Sequence, residues 1–217
     1  MSVLSLSTPI TRRAAVAAIL LTSLVLPAAQ AAPAGHPAAT VQTAVFAGGC
    51  FWGVDAVFKH VKGVIEVESG YAGGDAGMTT YRQVSSGASG HAESVRIRFD
   101  PAQVSYRQLL EVFFRVAHDP TQLNRQGPDV GTQYRSAIFY TSAEQQAQAQ
   151  EQVRQYTDAR TFPRPIVTQI TPLQQFHRAE DYHQNYLALH PRQAYIVIHD
   201  LPKLDQLRSS YPQWYRP

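Results

Sequence analysis

An α+β fold, a mixed sheet with flanking helices, follows from the order of two periodicities along the chain. Segments that alternate apolar and polar residues interleave with stripes at i, i+3 and i+4, but not in the regular strand–helix series of a parallel βαβ sheet. Composition agrees with a packed domain: of 217 residues, 44% are hydrophobic and 16% charged, unlike the charge-rich balance of disordered chains. That length suits one domain, or at most two small ones.

The first 31 residues read as an address. Arg12 and Arg13 precede an uncharged apolar run, Ala14–Leu26, and Ala29-Gln30-Ala31 has the small-x-small form of a cleavage site. A secretory signal peptide has this pattern, whereas a spanning helix takes about 20 apolar residues. The expectation is therefore export, to the periplasm, with no stable membrane association after cleavage. Thr11-Arg12-Arg13 leaves the twin-arginine route open. Loss of the two arginines takes the net charge from +3 to +1, and no basic run remains to suggest a nucleic-acid face. Residues 32–42, rich in Ala and Pro, read as a linker, and 43–217 as the compact domain.

Within that domain Thr43–Ala47 is a short strand ending at Gly48-Gly49. Val54, Val57, Phe58 and Val61 then fall at helical spacing, closed by Gly63, with Cys50 at the start of the helix. Val64–Tyr71 alternates, Ile65 and Val67 on one face and Glu66 and Glu68 on the other. Tyr71–Ser89, rich in Gly and Ser, reads as a long loop, a kind that is often functional. His91–Phe99 alternates again until Asp100-Pro101. Ser105-x-x-Gln108 has the form of a capping box before the stripe Leu109, Val112, Phe113, Val116. His118–Gln133 reads as loop and Arg135–Tyr140 as strand. Thr141-x-x-Glu144 caps a Gln-rich exposed helix, and Ile166–Thr171 is a further strand. Glu180–Leu189 and Leu204–Ser209 read as helices.

The chain has one cysteine, which excludes an intrachain disulfide framework and any Cys-rich zinc or iron–sulfur site. Two readings of Cys50 stand side by side. A free cysteine is commonly a small buried apolar residue. At a helix N-terminus, behind two glycines, it is instead a thiol whose thiolate is favoured by unpaired N–H groups and the helix dipole. Glu93 is the second anomaly. Val95, Ile97 and Phe99 share its parity, and Arg96 and Arg98 mark the wet face, so Glu93 points to the apolar side. Desolvation there raises a carboxyl's pKa and makes it a proton donor near pH 7; the alternative is a strand-end carboxylate reaching water or an arginine. Phe51 and Trp52 follow the cysteine, and Tyr81 and Tyr134 lie in or beside the long loops, where hydroxyls can donate to a substrate oxygen. His177, His183 and His190 stand six and seven residues apart, not at the i, i+4 spacing of metal ligands on a helix, and no metal is expected.

At Gly49-Cys50-Phe51-Trp52-Gly53 the chain resembles the peptide methionine sulfoxide reductase A family. Glu68-Ser69-Gly70-Tyr71-Ala72-Gly73-Gly74, Gly90-His91-Ala92-Glu93 and Gly131-Thr132-Gln133-Tyr134-Arg135-Ser136 extend the likeness. So do Asp119-Pro120-Thr121-Gln122, Arg125-Gln126-Gly127 and Ala179-Glu180-Asp181-Tyr182-His183-Gln184. The resemblance runs from about Thr43 to the His199 region. It implies a two-layer ferredoxin-like core and reduction of methionine S-sulfoxide, free or in oxidised proteins and peptides, to methionine. It further implies that Cys50 attacks the sulfoxide sulfur while Glu93 protonates the oxygen. Tyr81 and Tyr134 would hydrogen-bond that oxygen, Phe51 and Trp52 would hold the substrate methyl group, and Asp129 would help order the site.

The chain departs from many members of that family in its tail, Ser209–Pro217, which lacks a resolving cysteine, and at Ser85-Ser86 and Gly77-Met78-Thr79-Thr80. With no bound cofactor expected, a Cys50 sulfenic acid must be reduced by an external thiol, a thioredoxin-like domain or a small thiol. The rival readings are an exported cysteine-dependent hydrolase or peroxidase, and a non-catalytic sulfoxide-binding module.

Overall fold

The structure, a computed structural model, describes residues 40–217. The expected signal peptide and most of the linker lie outside the described residues. The chain enters through β1 (Gln42–Gly48), so the sheet claims the last linker residue. It continues through α1 (Phe51–Lys59), β2 (Val64–Ala72), a short α2 (Tyr81–Ser85) and β3 (Ala92–Phe99). Next, α3 (Tyr106–Val112) runs directly into a π turn, Phe113–Ala117. A small hairpin, β4 (Arg125–Gln126) and β5 (Asp129–Val130), and a 3₁₀ turn, Thr132–Tyr134, lead to β6 (Ser136–Tyr140). The remainder comprises α4 (Ala143–Asp158), β7 (Gln169–Pro172), β8 (Phe176–Arg178), α5 (Tyr186–Leu189), a second π turn (Ile196–Asp200) and α6 (Leu201–Ser210).

Six strands form one sheet in the order β7-β6-β1-β3-β2-β8. All neighbours are antiparallel except β6 and β7, which run parallel. The fold is therefore the expected mixed sheet with flanking helices. Alternation along the strands sorts the side chains onto two faces. Ala44, Phe46, Val95, Ile97, Phe99 and Ile138 join one core with Val54, Val57 and Phe58 of α1 and Leu109, Leu110 and Val112 of α3. Val45, Ala47, Ala72, Ala92, Ala137 and Phe139 form a thinner layer on the other face, covered by Leu173 and Phe176. Because β1 is buried on both sides, it carries its terminal Gly48 and the following residues into the interior.

Several local expectations shift, each for a physical reason. Ile65 is exposed: the β2–β3 register breaks between Val64 and Glu66, and the bulge turns Ile65 outward. The long Gly/Ser segment contains α2, whose single buried apolar residue, Val84, leaves no stripe to read. The second predicted loop holds the β4–β5 hairpin and the 3₁₀ turn. Ser142, not Thr141, caps α4; its Oγ accepts from the Gln145 N–H at 3.2 Å, while Thr141 donates its N–H to Gln145 Oε1. The strand expected over 166–171 starts only at Gln169. The helix expected over Glu180–Leu189 is a 3₁₀ turn, Asp181–His183, then Asn185 at φ 56°, then α5. The Ser105–Gln108 capping box forms as expected, with the Gln108 N–H donating to Ser105 Oγ at 3.2 Å.

The tail folds back on the C-terminal end of α1. Lys62 donates its N–H to the Trp214 carbonyl at 2.7 Å, and Arg216 donates to the carbonyls of His60 (N–H, 2.9 Å) and Lys59 (Nε, 2.9 Å).

Candidate active site

Where β1 meets α1, the chain turns through Gly49 at φ +89°, a conformation that favours glycine. A side chain there would also strike Gln126, whose Cβ and Cγ lie 2.5 Å from the Cβ position. Gln126 is fixed over this turn by accepting from the Asp119 N–H (3.1 Å) and donating to the Asp119 carbonyl (3.0 Å). Cys50 thus becomes the N-cap of α1, 9% exposed.

Glu93 reaches the same place from β3, paired with Tyr71 of β2. The parity argument from Val95, Ile97 and Phe99 holds: Glu93 is 2% exposed on the core face. Its Oε2 accepts from the Phe51 N–H at 3.0 Å, so the acid also satisfies the first open N–H of α1. Burial pushes its pKa up to about 8 against the pull of that hydrogen bond, with the charge of Asp129 adding a smaller push. The carboxyl is therefore mainly neutral at pH 7. Cys50 corrects one expectation. Burial holds the thiol up, the charges of Glu93 and Asp200 add to burial, and the neighbouring Trp52 N–H pulls only weakly toward the thiolate. The resting thiol is held well above its ordinary pKa.

A cavity of about 210 Å³ is lined by Cys50, Phe51, Trp52, Tyr81, Glu93, Asp129, Tyr134 and Tyr195. All seven residues singled out in the sequence meet there. A larger open groove of about 450 Å³, lined by Tyr156, Arg160, Phe162, Arg164 and neighbours, holds neither thiol nor carboxylate in its lining. Chemistry selects the smaller one.

Each wall is anchored from a distant part of the chain. Tyr81 starts α2, and its N–H donates to Glu180 Oε1 at 2.8 Å while Tyr71 O–H donates to Glu180 Oε2 at 2.9 Å. Tyr134 closes the 3₁₀ turn, which Gln133 ties to α2 through the Ser85 carbonyl at 3.1 Å. Burial raises the pKa of both Tyr81 and Tyr134, so each remains a hydroxyl donor. Asp129 sits on β5 and accepts from the Tyr195 hydroxyl. Trp52 stacks flat on Tyr186, ring centroids 3.7 Å apart, and donates Nε1–H to His183 Nδ1 at 3.1 Å. The His183 ring also packs on Phe51 (4.9 Å) and Tyr81 (4.5 Å). Burial lowers its pKa, so His183 is a neutral prop. The tautomer follows from the Trp52 bond: Nδ1 accepts and Nε2 carries the proton.

Tyr195, Tyr186, His183 and Glu180 escaped the residue-by-residue reading. Each lies 66 or more residues from its partner in the site, so no local spacing announces it. The one available signal was the crowding of His and Tyr in 182–199.

The match to peptide methionine sulfoxide reductase covers residues 42–214. The chain is 53% identical over 174 residues to peptide methionine sulfoxide reductase MsrA 2 of Mesorhizobium japonicum, covering 80% of this chain and 89% of that one. It is 52% identical over 176 residues to peptide methionine sulfoxide reductase MsrA of Deinococcus radiodurans, covering 81% and 85%. The fold is similar to methionine sulfoxide reductase A of Corynebacterium diphtheriae, with a TM-score of 0.65 at 38% identity over 73% of this chain and 78% of that one. It is similar also to Mxr1 from Saccharomyces cerevisiae in reduced form, TM-score 0.65 at 31% identity over 70% and 87%. Likeness of this depth across the whole of the sheet and its site has one explanation in descent: the chain belongs to the peptide methionine sulfoxide reductase family.

Proposed function

We propose that this enzyme reduces methionine S-sulfoxide, free or within oxidised proteins and peptides, to methionine. The observation that carries the reading is the convergence of a thiol and a neutral carboxylic acid, Cys50 and Glu93, in one small aromatic-walled cavity. Sulfoxide oxygen is a poor leaving group unless protonated, so the reaction needs a soft nucleophile and an acid together. Cys50, once deprotonated, attacks the sulfoxide sulfur as Glu93 gives its proton to the oxygen. Tyr81 and Tyr134 donate hydrogen bonds to that oxygen, and Phe51 and Trp52 hold the methyl group. Asp129, bonded to Tyr195, orders the polar side. Attack joins Cys50 Sγ to the substrate sulfur, and that bond breaks as the protonated oxygen passes from the substrate sulfur to Cys50, leaving methionine and a sulfenic acid. The methionine sulfur gains two electrons and the cysteine sulfur loses two.

Regeneration uses an external thiol, a thioredoxin-like domain or a small thiol. It attacks the sulfenic sulfur, expels water and leaves a mixed disulfide that a second thiol resolves. Pinning of the tail to the far end of α1 supports this, because the tail neither holds a cysteine nor approaches Cys50. The enzyme acts in the periplasm after removal of residues 1–31, and 43–217 is the catalytic domain. The βαββαβ order of β1-α1-β2-β3-α3-β6, with neighbours β6-β1-β3-β2, supports a ferredoxin-like core. A cysteine hydrolase is disfavoured because no histidine is among the residues lining the cavity with Cys50, and His183, which packs on Phe51, is committed to Trp52.

The experiment supplies methionine S-sulfoxide and dithiothreitol to wild type and Cys50→Ser. Methionine release by wild type alone supports the reading; release by Cys50→Ser overturns it. Trapping a mixed disulfide on Cys50 supports external reduction, and an obligatory Cys50–Cys50 dimer contradicts it.

A further inference from the structure

Against the first turn of α1, close behind Cys50 in the chain, lies a charged pair with no part in the chemistry above. Asp200 ends the second π turn and is 0% exposed. Its Oδ1 accepts from Lys203 Nζ at 3.1 Å, while Oδ2 is buried with no partner among the described residues. The pair abuts the first turn of α1 at Gly53. A side chain there would collide with Asp200 Oδ1 and place its Cβ 2.7 Å from Lys203 Nζ. Glycine at 53 is thus what lets both charges reach the helix backbone three residues after Cys50.

A pair buried on these terms adds little to stability, because desolvation consumes the Coulomb gain and the lone Oδ2 has no compensation. Its value lies in the field it makes. The groups facing Cys50 from other elements are Glu93 of β3, Asp129 of β5, Tyr81 of α2, Tyr134 of the 3₁₀ turn and Tyr195, the residue that precedes the second π turn. These are acids and hydroxyls; among the described residues around the sulfur, Lys203 supplies the cation.

We propose that the Asp200–Lys203 pair, seated against Gly53, trims how readily Cys50 ionises, Lys203 pulling toward the thiolate and Asp200 away from it. The two act on the sulfur with opposite sign. Both are positioning residues, since neither lines the cavity. Asp200 grips Lys203 with one oxygen and moderates its effect with the charge of the other. The proposal rests on Cys50 being the nucleophile, but the thiol's ionisation is measurable without turnover.

The test is the rate of Cys50 alkylation by iodoacetamide as a function of pH, followed by mass spectrometry on the full chain. Lys203→Met is expected to move the midpoint up by a fraction of a pH unit, roughly twofold slower trapping at a fixed lower pH. Lys203→Gln is a second neutral variant and gives the same rise, while Lys203→Arg stays near wild type. Asp200→Asn retains an acceptor for Lys203 but loses the charge, and moves the midpoint down. Opposite shifts support the proposal, because a merely structural pair would move both variants the same way. Unchanged midpoints in folded Lys203→Met and Lys203→Gln, or shifts of one sign in all neutral variants, overturn it. Failure of the sulfoxide assay in wild type would overturn the functional reading and leave these profiles standing.

Discussion

At the N-terminal end of α1 the cap residue is Cys50, which makes no side-chain capping bond, and the Phe51 N–H is given to the acid Glu93. At the C-terminal end the loose groups are tied. Lys59 bridges Asp55 (2.8 Å) and Asn185 (2.7 Å), His60 Nδ1 bonds the Ala56 carbonyl at 2.7 Å, and the tail pairs with residues 59–62. The first end keeps a thiol and a carboxyl away from water, both with raised pKa values, beside a carboxylate oxygen lacking a partner. The second end is positioned to compensate. One nine-residue helix therefore carries reactivity at one terminus and stability at the other, the division expected when a site breaks local rules that the rest of the fold obeys.

The strongest way to break this contrast is Glu93→Gln. Turnover is expected to fall ~10²-fold or more, the scale of general acid catalysis, with no loss of thermal stability. Near-wild-type kinetics in that variant would remove the chemical half of the comparison. At the other end, Trp214→Ala strips a ring that stacks on Tyr211 and packs on the core. Calorimetry or denaturant titration is expected to show a loss of about 2 kcal/mol, because the ring is half-buried, with the single-turnover rate of the folded fraction unchanged. A parallel fall in rate would mean the two ends are not separable. Tyr134→Phe, which removes one of two donors to the sulfoxide oxygen, is expected to slow the first step about tenfold, the worth of one hydrogen bond to developing charge.

Stability against pH sharpens the contrast further. Glu93 has a folded pKa of about 8 against an ordinary 4.5, so the native state binds the extra proton. Wild type should lose stability relative to Glu93→Gln as pH rises from 4.5 through 8. His118, behind Gly48, has the opposite sign. Its Nδ1 bonds the Phe113 carbonyl (2.9 Å) and its Nε2 bonds Ser136 Oγ (2.7 Å), and burial lowers its pKa from 6.5 to about 4. Its contribution is present above 6.5 and is lost as pH falls toward 4. The two slopes oppose each other between 4.5 and 6.5. Chemical denaturation at stepped pH is therefore expected to show wild type losing stability from 6.5 to 8, and Glu93→Gln, freed of its own limb, gaining stability from 4 to 6.5. A flat wild-type profile over 6.5–8 would contradict the Glu93 assignment, and a flat variant profile over 4–6.5 the His118 assignment.

What was legible in the sequence was what a local period could carry. The alternation of β3 placed Glu93 on the core face, and the Gly-Gly–Cys junction placed the thiol at a helix start. Ser105 and Gln108 announced their own cap. What was hidden depended on partners far along the chain. α2 has one buried apolar residue, Val84, and is held by Glu180, about 100 residues away. Ile65 obeyed the alternation until a bulge set by β3 turned it out. Asp200 and Lys203 stand three residues apart with no local pattern to mark them, and it is packing against Gly53 that encloses the Asp200 carboxylate.

Proton delivery from Glu93 to the sulfoxide oxygen as Cys50 attacks is the step on which the proposed chemistry turns. The direct measurement is the pH dependence of the first step in single turnover, read as methionine formed per Cys50 without added reductant. Glu93 keeps its proton below about 8 while Cys50 ionises well above its ordinary value, so the wild-type rate is expected to rise with pH and level off above a midpoint near 8. Glu93→Gln is expected to run slower and to keep rising through that midpoint. A levelling at the same midpoint in Glu93→Gln would assign the proton to another group and contradict proton delivery by Glu93.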